Sequence, residues 1–300
     1  MKAPALKVVV AVVLALGTFN ISASTNQTGS IIQVACWNIR DFSTTTNRAP
    51  DFSAIAQILH TNDCVAIVEL NDKAALVQLC KELKKTGGKW KSASTFSKAG
   101  NTPGSKEYYG FVYRSDKLWK RSSVSILSEQ TLTVSGDPQS YRFDREPAVC
   151  KFATFDGRMD FTIMVVHITW GSAEKYRRAE VCALTNYFIT TLKKSKTDKD
   201  LLLMGDFNQN VGAANSLTEV LKLPTMMDTT SPTPPTVIDS ANTYDHILFE
   251  TQYVTEYTGT HGVTLFDEEV FHGDKAAAIK ACSDHRPVWI QLRVPPQDDD

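Results

Sequence analysis

Short apolar runs alternate with polar connectors and amphipathic stretches along most of the chain. The runs at 31–37, 64–69, 110–114, 147–153, 161–167, 201–207, 244–249 and 288–292 are rich in Val, Ile and aromatic residues. Such side chains suit a buried pleated surface, so the runs predict strands. Residues 51–60 place Phe52, Ile55, Ala56 and Leu59 on one helical face. Residues 72–85 repeat the pattern with Leu76, Leu79, Cys80 and Leu83, and Gly87 and Gly88 supply a stop. A third helix is predicted over 172–194, with Ser172 as its cap, Glu174 in its first turn and lysines at its end. Gly- and Pro-containing stretches at 96–106 and 229–243 read as loops, and 296–300 as a flexible tail. Without repeats or a long linker, residues 25–295 read as one α/β domain with strands and helices mixed.

The first residues break this pattern. Lys2 and Lys7 flank an uninterrupted apolar run, VVVAVVLAL, and small residues Ser22, Ala23 and Ser24 follow. This is the layout of a signal peptide over 1–24, and the run is short for a membrane span. The expectation is a secreted or periplasmic protein with no stable membrane insertion once the leader is removed. Cleavage would leave the chain two charges more negative than its formal −1. A net charge near zero excludes a globally basic nucleic-acid binder but not a nuclease, where acidic metal ligands offset basic residues. Six cysteines follow the leader without any CxxC pair. An exported chain could pair them as disulfides or bury them as thiols, and a structural zinc site is not indicated.

Polar residues collect at the ends of the predicted strands. Asn38 and Glu69 end the first two, and His167 ends FTIMVVH. Asp206 and Asn208 follow LLLMG; Asp245 lies in TYDHILF, and Asp284 and His285 in SDHRPV. Groups at strand ends of an open α/β sheet converge on a shared crevice. Oxygen donors such as Asn38, Glu69, Asp206, Asn208 and Asp284 suit Mg²⁺, with Mn²⁺ or Ca²⁺ as alternatives. Two histidines with nearby carboxylates suggest a pair of acid–base units.

The segments CWNIRDF, AIVELND, SKEYYGFVYR, DREPAVCKF, MVVHITW, LLMGDFNQN, TYDHILF and SDHRPV resemble the endonuclease/exonuclease/phosphatase superfamily, and within it the deoxyribonuclease I-like branch. They are spread over residues 34–289. The resemblance implies a four-layer sandwich of two mixed β-sheets flanked by helices, with the site at one edge of the sheets. It implies that Glu69 and Asn38 hold the main metal, with Asp206, Asn208 and Asp284 completing that side. It pairs Asp245 with His285 and Glu107 with His167 as the catalytic units, and gives Arg145, Arg40 and Asn208 to the substrate phosphate. A surface ion pair with Asp144 or Glu146 is the alternative for Arg145.

Three departures from that branch bear on substrate. Val68 stands where a Gln commonly precedes the metal glutamate; Asn71 replaces an arginine and Ser105 a tyrosine that grip the minor groove. The branch's disulfide after the metal aspartate has no cysteine here. The implied function is a metal-dependent phosphodiesterase acting on nucleic acid, DNA foremost and RNA as an option. A lipid phosphodiesterase or phosphatase of the same superfamily, with Trp170 as a membrane contact, is the second reading. A secreted binding protein that has lost activity is the third, and the intact set of polar site residues argues against it.

Overall fold

Strand alternation divides the apolar residues between two faces, and this division builds the layers. In the computed structural model, which describes residues 29–45, 48–102, 104–127, 132–133, 140–171, 174–194, 199–210, 226–228 and 234–298, strand β1 runs over Ile31–Phe42. Its Ile32, Val34 and Cys36 enter one core, while Ala35, Trp37 and Ile39 enter another. Successive side chains of a strand point to opposite faces, so a strand apolar at both parities lies buried between two layers.

The first sheet holds β1, β2 (Cys64–Leu70), β3 (Trp90–Ser94), β4 (Tyr108–Arg114), β14 (Tyr257–Val263) and β15 (Val288–Arg293), in the order β14-β15-β1-β2-β4-β3. Only β1 and β2 run parallel; the other pairings are antiparallel. The second sheet holds β5 (Leu118–Lys120), β9 (Ala148–Thr154), β10 (Asp160–His167), β11 (Leu201–Asp206), β12 (Met226–Asp228) and β13 (Asp245–Glu250), ordered β12-β13-β11-β10-β9-β5, with β6 (Ser125–Ile126) also on β9. Here β10 and β11 are the parallel pair. A separate ribbon joins β7 (Leu132–Thr133) and β8 (Ser140–Tyr141).

The sheets face each other through a core that includes Cys36, Ala66, Phe111, Phe152, Ile163, Met204 and Phe249. Helices α1 (Phe52–Leu59) and α2 (Lys73–Leu83) cover the outer face of the first sheet. Helix α3 (Glu174–Lys194) covers the second with Ala179, Val181, Leu184 and Phe188. The architecture is the expected sandwich of two mixed sheets between helical layers. Asp51 and Asp72 cap α1 and α2 by accepting backbone N–H groups. Among the described residues no helix is long and apolar enough to cross a membrane. The predicted signal peptide and the Ser172 cap lie outside the described residues.

Several elements were not predicted. β1 continues to Phe42, so Asn38 lies inside the strand rather than at its end, and a register shift against β2 follows it. β14 is half-exposed and interrupted by two glycines, and β3, β5 and β6 are short edge pieces. Helices α4 (Phe266–Glu269) and α5 (Lys275–Ala281) are too short to show a periodic apolar face. Cys36, Cys64, Cys80, Cys150 and Cys282 are buried free thiols, which favours the thiol option over disulfides, and Cys182 is half-buried.

Gly205 shows how closely β10 and β11 approach. Its φ is +151°, and a Cβ there would collide with the Val166 carbonyl oxygen. Gly205→Ala should therefore lower the unfolding free energy by on the order of 2 kcal/mol or more. Urea denaturation checks this, and a wild-type midpoint would contradict the close approach.

Candidate active site

The same alternation that sorts the core also aims the site. On β1 the even positions point between the sheets, and the next even residue after Cys36 is Asn38. On β10 Ile163 and Val165 point inward, and His167 continues their row; on β11 Leu202 and Met204 are followed by Asp206. β13 and β4 run the other way, and Asp245 at the start of β13 and Glu107, the residue before β4, continue their inward rows to the same edge. Asp206 and Asp245 are register partners. The polar residues thus end the inward rows where the two sheets open to solvent.

Glu69 breaks this parity, since Val65 and Ile67 face the helices. Its backbone adopts φ +59°, and the β2–β4 register shifts between Ile67 and Leu70. Asp41 and Asn208, also at the site, have φ +49° and +50°. Left-handed backbone is disfavoured for non-glycine residues, so these positions hold local strain where side chains are re-aimed.

The result is a cavity of about 450 Å³ lined by every predicted site residue except Asn38 and Asp245, which are buried just behind it. Asn38 donates through Nδ2 to Glu69 Oε1 at 3.0 Å and to Asp206 Oδ2 at 2.9 Å. Its Oδ1 is buried without a hydrogen-bond partner. An unpartnered amide oxygen beside two carboxylates fits a hard cation. Asp206, Asp245 and His285 also bring potential ligand atoms within 4.8 Å of one another.

Two imidazoles flank Asp206. His167 Nδ1 lies 3.0 Å from both oxygens of Glu107, and its Nε2 is 3.7 Å from Asp206 Oδ2. His285 Nδ1 lies 2.8 Å from Asp245 Oδ2, and its Nε2 is 3.8 Å from the same Asp206 oxygen. Burial acts to lower both imidazole pKa values, but the carboxylates outweigh it. His167 is raised, chiefly by Glu107. His285 is pushed up to about 10 by Asp245 and Asp206. Each pair fixes Nδ1 and leaves Nε2 facing the centre.

Arg145 is buried, so its ion pair is not the surface contact expected as the alternative. It pairs with Asp144 at 3.2 Å and donates to the carbonyls of His167 at 3.1 Å and Ile168 at 3.3 Å, while its side chain lines the cavity. Glu146 instead accepts from Asn101 and Gly100. Arg40 is about half exposed and pairs with Asp284 at 3.1 Å. Asn208 donates to the Ile168 carbonyl at 2.9 Å, and its own N–H is accepted by Asp206 Oδ1 at 2.8 Å.

Supporting residues escaped the sequence reading. Ser283 Oγ donates to the Asn38 carbonyl at 2.6 Å and accepts from Arg40 N and His285 N. Thr236 Oγ1 accepts from Tyr244 N and Asp245 N. Arg286 and Asp267 form a buried two-point ion pair at 2.8 and 2.6 Å beside His285. Ser283 and Arg286 stood inside a quoted motif, but nothing in spacing distinguished their supporting role. His60 is a helix-end residue, as expected, and His246 is buried against Phe207 with Nε2 at the Gln209 carbonyl.

A two-sheet sandwich with oxygen donors, two anchored imidazoles and a buried guanidinium at one edge defines a class of phosphate-ester sites. The sequence matches the Endonuclease/Exonuclease/phosphatase family over residues 18–285, and the chain belongs to that family. It is 27% identical to Deoxyribonuclease-1 of Mus musculus over 297 residues, covering 93% of this chain and 97% of that one. It is 26% identical to Deoxyribonuclease-1 of Equus caballus over 275 residues, covering 87% and 92%. An endonuclease/exonuclease/phosphatase structure from Bacteroides vulgatus shares the fold with a TM-score of 0.57 at 16% identity, over 89% of this chain and 100% of that one.

Glu180 ties the two walls together from α3. Its carboxylate accepts from Asp144 N at 2.6 Å and Thr169 N at 2.9 Å. Burial pushes it up to about 7 from an ordinary 4.5, against the opposing effect of those amides and Arg145. The folded state therefore retains a proton that the unfolded chain releases. This contribution to stability is complete below about pH 4.5 and lost as pH rises through about 7. Glu180→Gln should lack this fall, so that it appears as the difference between wild type and variant in urea-unfolding free energy between those pH values. Parallel curves would contradict it.

Proposed function

We propose that this protein is an exported, divalent-metal-dependent phosphodiesterase that cuts nucleic-acid backbones, DNA foremost. The observation that carries the reading is the placement of two imidazole Nε2 atoms on either side of Asp206, each ring anchored at Nδ1 by its own carboxylate. The similarity to deoxyribonucleases over nearly full length supports the choice of substrate. The apolar leader supports export.

Hydrolysis of a phosphodiester needs an activated water, neutralised phosphoryl oxygens and a proton for the leaving oxygen. Glu69, Asp206 and the free Asn38 Oδ1 would hold Mg²⁺, with Mn²⁺ or Ca²⁺ as substitutes, and Asn208 and Asp284 extend the oxygen-rich wall. Bound there, the ion would supply Lewis acidity toward the phosphate. His285, oriented by Asp245, is the base toward water at Nε2, for which its ring must first release the proton that Asp245 and Asp206 favour there. His167, oriented by Glu107, holds a proton at Nε2 for the departing oxygen. Arg145, pinned by two carbonyls, and Arg40 supply positive charge to the phosphate.

Plasmid DNA incubated with Mg²⁺ should be nicked, and EDTA should stop the reaction. His285→Ala and Asp245→Asn should each lower the rate by about 10²- to 10⁴-fold without changing the circular-dichroism spectrum. Near-wild-type rates would overturn the acid–base assignment. Glu69→Ala should move the Mg²⁺ titration to higher concentration; an unchanged titration would remove Glu69 from the ligand set. Hydrolysis of sphingomyelin without any nicking would transfer the assignment to a lipid phosphodiester.

A further inference from the structure

Resting on that nuclease reading, we infer that Trp170 is a stacking platform for an unpaired base beside the scissile phosphate, so that single-stranded or locally opened nucleic acid is the preferred substrate. Trp170 is 76% exposed and lines the catalytic cavity. Leaving a large aromatic ring in water is unfavourable, so its presence at the rim of a polar cavity calls for a ligand with an apolar face.

The backbone beneath the ring is held firmly. Ile168 O receives Arg145 Nη2 and Asn208 Nδ2, and Thr169 N is anchored by Glu180. Arg177 donates to the Gly171 carbonyl on the far side. The ring therefore projects from a braced turn, tied through Ile168 to the guanidinium assigned to the phosphate. A rigid mount limits the ordering entropy of a stacking contact.

The flanking chemistry fits a polyanion with aromatic units. Exposed Lys175 and Arg178 follow on α3, with Tyr176 between them 45% exposed and Lys175 Nζ 5.5 Å from its ring centroid. Cationic side chains interleaved with exposed aromatics bind single strands through phosphate attraction and base stacking. A paired base inside a duplex has both faces covered by its neighbours and cannot offer one to Trp170. The lining also carries Asn71, Gly104 and Ser105, none with an aromatic side chain, and beside them the cationic Lys106.

The test uses the full-length chain. In EDTA, tryptophan fluorescence is titrated with an oligothymidylate, an abasic deoxyribose-phosphate oligomer of equal length, a duplex, and phosphatidylcholine vesicles. Wild type and Trp119→Phe, which removes a distant exposed indole, should both be quenched by the oligothymidylate; Trp170→Ala should not. With Mg²⁺, Trp170→Ala should raise KM for the single strand about ten-fold or more, with a smaller change in kcat, and Trp170→Phe should restore most of it. Equal quenching by the abasic oligomer, or an unchanged KM in Trp170→Ala, would overturn the stacking role while leaving the nuclease reading intact. Quenching by vesicles alone would make Trp170 a lipid contact. A wild-type protein that cleaves no nucleic acid would remove both readings.

Discussion

The site depends on one buried amide. Through a single nitrogen, Asn38 holds Glu69 from the first sheet and Asp206 from the second. Two carboxylates forced this close repel one another, and the repulsion is strong where water is excluded. The Asn38 N–H groups offset part of it and fix the spacing across the sandwich. The geometry of every other polar group follows, because Asp206 stands between both imidazoles and Ser283 ties the Asn38 carbonyl to the His285 loop. The sheets are held apart by their apolar cores and joined at this edge by polar bonds.

Charge completes the arrangement. Glu69, Asp206, Asp284, Glu107 and Asp245 converge with two guanidiniums and two imidazoles. Arg145 is already committed to Asp144 and Arg40 to Asp284. The remaining carboxylates draw positive charge from protonated imidazole, as the upward shifts of both histidines show. They would draw it equally from an ion. A site with surplus carboxylates and an unpartnered amide oxygen is electrostatically prepared for a hard cation and for the anionic phosphate that follows it.

Much of this was legible in the sequence because alternation does two jobs at once. The inward parity that makes Cys36, Val165 and Met204 core residues also carries Asn38, His167 and Asp206 to the mouth between the sheets. The apolar runs therefore predicted both the layers and the edge at which polar ends gather. The resemblance supplied the pairing of Asp245 with His285 and of Glu107 with His167, and these side chains lie within hydrogen-bonding distance. Glu69 lay beyond alternation alone: its left-handed backbone turns an outward position toward the cavity, and a period-two pattern cannot express that.

The parts that stayed hidden have a common physical reason. Ser283, Thr236, Glu180 and the Arg286–Asp267 pair act through backbone groups or through partners distant in sequence. A hydroxyl that accepts two amides leaves no periodicity, and a Glu on an amphipathic helix reads as one more solvated residue until burial shows otherwise. Short elements such as α4 and α5 likewise owe their form to tertiary packing: Phe266 packs at a tilt against Trp37, ring centroids 5.3 Å apart, and four residues could not be helical alone. The candidate site residues are readable because chemistry restricts their identity. The groups that position them are readable only once the chain has brought their backbone partners near.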